Sequence, residues 1–217
     1  MALPRQTEMQ RPAPRLYLIT PPLGDTASLR ESLGAALAAA DVAAVLLVLA
    51  HSDERTMINQ VKALAPIVQE KGVALLLDQP DIVARAGADG AHVAGIYALK
   101  DAIETLKPDR IVGAGDLRTR HDAMLAGEAN VDYVLFGEPN GGGRRPSFDV
   151  ILERVEWWAE LFELPCVGFA ATLDEVRPLA AAGADFIAVG DCVWNDSRGV
   201  AAAMAAATDA LVTETIA

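Results

Sequence analysis

The sequence predicts a single (β/α)8 TIM barrel, an α/β fold, from three observations. Eight short and nearly continuous apolar runs alternate with eight longer helical windows, and no linker interrupts them. Continuous rather than alternating hydrophobicity is the mark of parallel strands buried on both faces. Third, the segments Ala86-Gly-Ala-Asp-Gly, Ala129-Asn-Val-Asp-Tyr and Ala182-Gly-Ala-Asp-Phe echo one another, each ending a helix and launching the fourth, sixth or eighth strand. An open, doubly wound sheet is the competing architecture, and an eighth strand with a closing helix argues against it.

The expected strands cover residues 16–20, 42–49, 73–77, 90–93, 110–113, 133–137, 166–169 and 186–190. The expected helices cover 26–40, 54–71, 80–86, 98–107, 119–128, 148–162, 173–182 and 198–213. Asp25-Thr26, Ser52-Asp53 and Thr172 three residues before Glu175 are start signals, while Gly72, Gly87 and Gly183 are stop signals. Residues 1–14, with prolines and mixed charges, read as a flexible N-terminal tail, and 15–217 as the barrel domain.

The chain has 217 residues, of which 52% are hydrophobic, so one large core forms without staples and disorder is excluded. Its net charge of −12 disfavours nucleic acid and anionic membrane surfaces as partners, though one basic loop can still hold a small anion. The N-terminus carries no signal-peptide pattern, and no uncharged apolar stretch reaches membrane-spanning length. Cys166 and Cys192 are too few for a disulfide scaffold or zinc site and read as reduced thiols of a cytoplasmic protein.

Barrel chemistry sits in the loops after the strands. There the sequence offers Thr20 after strand one, His51 after strand two and Asp78 after strand three. His92 lies inside strand four, Gly115 and Asp116 follow strand five, and Glu138 follows strand six. The run Gly141-Gly142-Gly143-Arg144-Arg145 is the most informative: glycines admit backbone N–H groups close to an oxyanion, and paired guanidiniums grip phosphate oxygens. A solvated surface loop is the plain alternative. Gly168, Gly190 and Asp191 stand where many barrels build a phosphate cup after strands seven and eight. Asp78 is either a Mg²⁺ ligand or a helix cap, and Asp116, Glu138 and Asp191 raise the same choice. No zinc motif, P-loop, GxGxxG or nucleophile elbow is present.

The order of these features resembles the thiamine phosphate synthase (thiamine-phosphate pyrophosphorylase) and thiazole tautomerase family, as a divergent member. The resemblance runs from Leu16 onward and is carried by Leu16-Tyr-Leu-Ile-Thr20, Ala86-Gly-Ala-Asp-Gly-Ala-His-Val93, Val131-Asp-Tyr-Val-Leu-Phe-Gly137 and Ala182-Gly-Ala-Asp-Phe-Ile-Ala-Val189. It implies an enzyme that joins a hydroxymethylpyrimidine diphosphate to a thiazole phosphate and releases pyrophosphate with Mg²⁺. Small phosphorylated substrates, Asp78 as a Mg²⁺ ligand and Arg145 as a pyrophosphate contact follow by position, with Gly168 and Gly190 near the thiazole-phosphate cup. Arg144, Arg145 and His51 are the expected catalytic residues. Thr20, His92, Gly115, Gly141, Gly142, Gly168, Gly190 and Asp191 are the expected substrate-binding ones. Departures are plain. The family's Gln-x-Arg-x-Lys is Leu47-Val48-Leu49-Ala50-His51 here, its second metal carboxylate is Tyr97, and its Gly-Gly after strand seven is Ala170-Ala171. Two other readings follow from those losses: a degenerate barrel that only binds a phosphorylated metabolite, or a tautomerase-like isomerase with His51 or His121 as base. Homodimerisation, through the alanine-rich helices, is the prior expectation for assembly.

Overall fold

The computed structural model describes residues 12–211, and in it eight parallel strands close into a barrel in strict sequence order. They are β1 (Arg15–Ile19), β2 (Val42–Leu47), β3 (Ala74–Leu77), β4 (Gly90–Ala94), β5 (Ile111–Gly115), β6 (Tyr133–Phe136), β7 (Cys166–Ala170) and β8 (Phe186–Val189). Pairing of β1 with β8, Leu16 opposite Ile187, closes the ring and excludes the open sheet. The helices are α1 (Thr26–Ala39), α2 (Glu54–Gln69), α3 (Val83–Ala86), α4 (Leu99–Leu106), α5 (Arg120–Glu128), α6 (Phe148–Leu161), α7 (Val176–Ala181), α8 (Asp191–Trp194) and α9 (Val200–Leu211). Most of the expected tail, and the end of the window 198–213, lie outside the described residues.

Local chemistry explains where most elements begin and stop. Asp25 caps α1 by accepting from the N–H groups of Ala27 and Ser28, and Asp53 caps α2 through Thr56. Gly72, Gly87 and Gly183 end helices with φ of 71°, 77° and 93°, a region closed to most side chains. Thr172 makes no cap, because the side chain of Glu175 turns back to Ala171 and Arg145 instead. The one-turn helix α8 was not expected. It brings Trp194 to the C-terminal end of β1, where Nε1 donates to the Ile19 carbonyl at 2.6 Å.

The repeated aspartates have one job, performed three times. Each carboxylate accepts the N–H of a residue in the preceding strand: Asp89 from Leu75 at 2.7 Å, Asp132 from Val112 at 2.6 Å and Asp185 from Cys166 at 2.8 Å. The backbone N–H of each aspartate answers to the carbonyl of that same residue. The three clamps fix neighbouring strands in register at the bottom of the barrel, away from the loops that carry chemistry.

Two apolar layers result. Tyr17, Leu46, Leu76, Leu135, Val167 and Phe169 fill the barrel interior, and a larger shell packs strands against helices. The alanine-rich α9 buries Ala203, Met204 and Ala207 within this shell, against α1 among others, so that face is used inside the chain. Among the described residues no helix is long and apolar enough to cross a membrane. Asp185→Ala is expected to destabilise the fold by about 2 kcal/mol in urea unfolding, the effect of an orphaned charge-assisted bond. An unchanged midpoint would show that the clamp is dispensable.

Candidate functional site

A cavity of about 300 Å³ opens at the C-terminal mouth of the barrel, where the strand ends converge. Ile19, Leu46, Leu135 and Phe169 give it apolar walls, and Thr20, His92, Asp116, Glu138, Gly190 and Asp191 supply the polar ones. Beside it lies a second cleft of about 280 Å³, bordered by Arg118, Arg144, Arg145 and Arg154. Asp116, Glu138 and Asn140 line both. The mouth thus divides into an apolar pocket and a cationic cleft with a shared wall.

A chain of polar side chains crosses the barrel to reach that wall. Tyr17 and Tyr133 hydroxyls meet at 2.9 Å, Tyr133 Oη lies 3.0 Å from His92 Nδ1, and His92 Nε2 faces Glu138 Oε1 at 4.0 Å. Two glycines of β5 make the room. A Cβ at Gly113 would enter the Tyr133 ring, and one at Gly115 would collide with both Glu138 Oε1 and His92 Nε2. Asp116 turns out of β5 with φ 48°, a conformation aspartate tolerates better than most residues, and its N–H donates to Glu138 Oε1. Burial holds His92 neutral, lowering it to about 4. Burial also pushes the Glu138 carboxyl up to about 7, against the opposing effect of the Asp116 N–H.

The cleft holds its arginines differently. Arg145 grips Glu175 through both terminal nitrogens at 3.0 Å, and Glu175 also accepts from Ala171 N–H at 2.7 Å. The Arg145 guanidinium lies 5.7 Å from the centre of the Phe169 ring, and its Nε is buried without a partner among the described residues. Arg154 braces the carbonyls of Leu117 and Arg118 from α6, and Arg118 pairs with Asp116 at 3.4 Å. Arg144 is exposed and has no ion pair among the described residues.

The structure brings together Thr20, His92, Gly141, Gly190 and Asp191 in the pocket, with Gly115 beneath it, and Arg144 and Arg145 in the cleft. Other expected residues lie elsewhere. His51 is exposed after β2 and lines neither cavity, since Asp53, two residues on, takes over the helix cap. His121, on α5, is exposed as well, so neither histidine is placed as the base of an isomerase. Gly168 faces outward, where a Cβ would press on Leu179 of α7, and serves helix packing. Gly142 donates its N–H to Asn140 Oδ1 and helps shape the loop. Asp78 is half-buried, accepts from Leu49 N–H at 3.2 Å and lines neither cavity. Arg154 and the tyrosine pair were not anticipated. Glu138 and Asp116 had a visible signal, as the first carboxylates after the sixth and fifth apolar runs.

The family model for thiamine monophosphate synthase matches residues 16–193, a stretch that contains every strand from β2 to β8 and both cavities. The chain belongs to the thiamine monophosphate synthase family. It is 43% identical over 196 residues to a thiamine-phosphate synthase of Rhodospirillum centenum, covering 88% of this chain and 94% of that one. It is 40% identical over 210 residues to one from Hyphomonas neptunium, covering 92% and 95%. Thiamine phosphate pyrophosphorylase from Pyrococcus furiosus superposes with a TM-score of 0.75 at 23% identity, over 91% of this chain and 95% of that one, which speaks to the fold.

The unfolded chain ionises Glu138 near the ordinary value of 4.5, whereas the folded protein holds its proton to about 7. Between those limits the unfolded state binds fewer protons, so stability falls as pH rises across them, by roughly 3 kcal/mol in all. Glu138→Gln, which keeps the acceptor for Asp116 N–H, is therefore expected to melt above the parent at about pH 8 and with it at about pH 5. A melting difference independent of pH would contradict the burial argument.

Proposed function

We propose that this family member transfers a hydroxymethylpyrimidine group from its diphosphate to a thiazole phosphate, with release of pyrophosphate. The observation that carries the reading is the division of the mouth into an apolar pocket and a cleft bordered by four arginines. The reaction needs both. Two flat heterocycles suit a pocket of about this size with a few convergent polar groups, and a departing pyrophosphate needs preorganised positive charge rather than a nucleophile.

In this reading the diphosphate lies in the cleft. Arg144, unpaired, meets its outer oxygens, and Arg118 and Arg145 meet it by loosening from Asp116 and Glu175. The heterocycles stack within the walls of Ile19, Leu46, Leu135 and Phe169. Thr20 is less free than its position suggests, since its Oγ1 already accepts from Val48 N–H. The two reduced thiols, one buried and one half-buried, suit a cytoplasmic enzyme.

Mg²⁺ would neutralise pyrophosphate charge and orient it. Asp78 does not fit that task well, because one oxygen is spent on Leu49 and the group lines neither cavity. Asp78→Asn, which retains the acceptor, is expected to leave the Mg²⁺ concentration for half-maximal activity unchanged. A rise of about tenfold in that concentration would restore Asp78 as a ligand.

Incubation with both precursors and Mg²⁺ is expected to yield thiamine phosphate and pyrophosphate in equal amounts, measured by chromatography and a coupled pyrophosphate assay. A folded protein that forms neither overturns the proposal. Arg144→Ala should raise KM for the diphosphate by about tenfold, the value of one charge-assisted contact. An unchanged KM would remove Arg144 from the site.

A further inference from the structure

We infer that Glu138 is the counter-charge of the reacting pyrimidine: its carboxylate, on the wall between the two cavities, stabilises the positive charge that develops as the diphosphate departs. This deepens the transferase reading above and rests on it. In that reaction the bond between the pyrimidine methylene and the diphosphate oxygen breaks, and its electron pair leaves with pyrophosphate. The cation left behind is spread over the aminopyrimidine ring until the thiazole nitrogen donates its lone pair to form the new C–N bond. No proton changes hands. Opposite charges must therefore be stabilised on opposite sides of one breaking bond.

The mouth is built for that division. Arg118, Arg144, Arg145 and Arg154 border the anion side. Three carboxyl groups line the pocket side, and they are not equivalent. Asp116 has a side chain 27% exposed, and Asp191 is exposed at the rim. Glu138 alone of the three combines a side chain only 16% exposed with a place in both linings. Its Oε1 is held by the Asp116 N–H. A charge fixed in such low-dielectric surroundings acts on a nearby cation far more strongly than a solvated one.

The Asp116 N–H fixes Glu138, and its other close neighbours carry no full charge. His92 of β4 faces it and is neutral, and Tyr133 of β6 and Tyr17 of β1 hold His92 in turn. The charged groups near Glu138 are Asp116, which opposes its ionisation, and Arg154 of α6, which favours it. Because burial keeps the carboxyl partly protonated near neutral pH, the rate is expected to follow its ionised fraction.

The test uses the full chain with two ligands, hydroxymethylpyrimidine and its cationic aminomethyl analogue, alongside steady-state turnover. The parent protein should bind the cation about tenfold more tightly than the neutral isostere at about pH 8. Glu138→Gln should lose that preference and Glu138→Asp should retain part of it. In turnover, Glu138→Gln should lower kcat about 10-fold to 100-fold with little change in KM for the diphosphate, and should flatten the rise in kcat between about pH 6 and pH 8. A folded Gln variant with parental kcat overturns the inference whatever its binding shows. If the parent makes no product, binding decides: a cation preference that depends on Glu138 supports the counter-charge while the transferase reading fails, and no preference overturns both.

Discussion

The site depends on two side chains that are absent. Without a Cβ at Gly113 and Gly115, the interior of the barrel beside β5 stays open, and Tyr133, His92 and Glu138 extend into the space. Close-packed interiors leave no such room by accident. A methyl group at either position would drive aromatic or carboxyl atoms into backbone-anchored neighbours, so the polar chain from Tyr17 to Glu138 exists only because β5 withdraws. The same strand ends in the left-handed Asp116, whose N–H fixes Glu138. One strand thus provides space and orientation together.

The cost of this arrangement falls on stability, and it is offset at the other end of the barrel. A carboxyl held at about 7 destabilises the folded state at neutral pH, as does the Arg145 Nε, buried without a partner among the described residues. At the bottom, Asp89, Asp132 and Asp185 hold strand N–H groups with charged acceptors, and the barrel walls are almost wholly aliphatic. Strain and buried charge at the mouth, satisfaction at the base: the separation allows loops to vary while the ring stays closed.

Arg145 illustrates how the mouth balances its charges within the chain. Its fork and the Ala171 N–H form a donor set suited to an oxyanion, and the Glu175 carboxylate fills it. The guanidinium is thereby neutralised, over the Phe169 ring. Glu175 was legible only as half of a helix cap with Thr172, because sequence proximity suggested a local partner while the fold supplied a distant one.

The sequence by itself determined the ring. Eight apolar runs in alternation with helices, the caps Asp25 and Asp53, the glycine stops and the three echoing aspartates are local signals, each set by backbone chemistry within a few residues. Family membership was legible for the same reason, since its motifs are contiguous. What the tertiary structure decided is which end-of-strand residues meet. His51 and His92 look alike as residues near strand ends, yet one turns to solvent and the other inward, because direction depends on barrel tilt and on the space beside β5. Glu138 and His92 are 46 positions apart and face each other only across Gly115. Arg154 reaches the cleft from a helix whose sequence reads as ordinary amphipathic surface. Side-chain convergence across strands is a property of packing, and no local pattern encodes it.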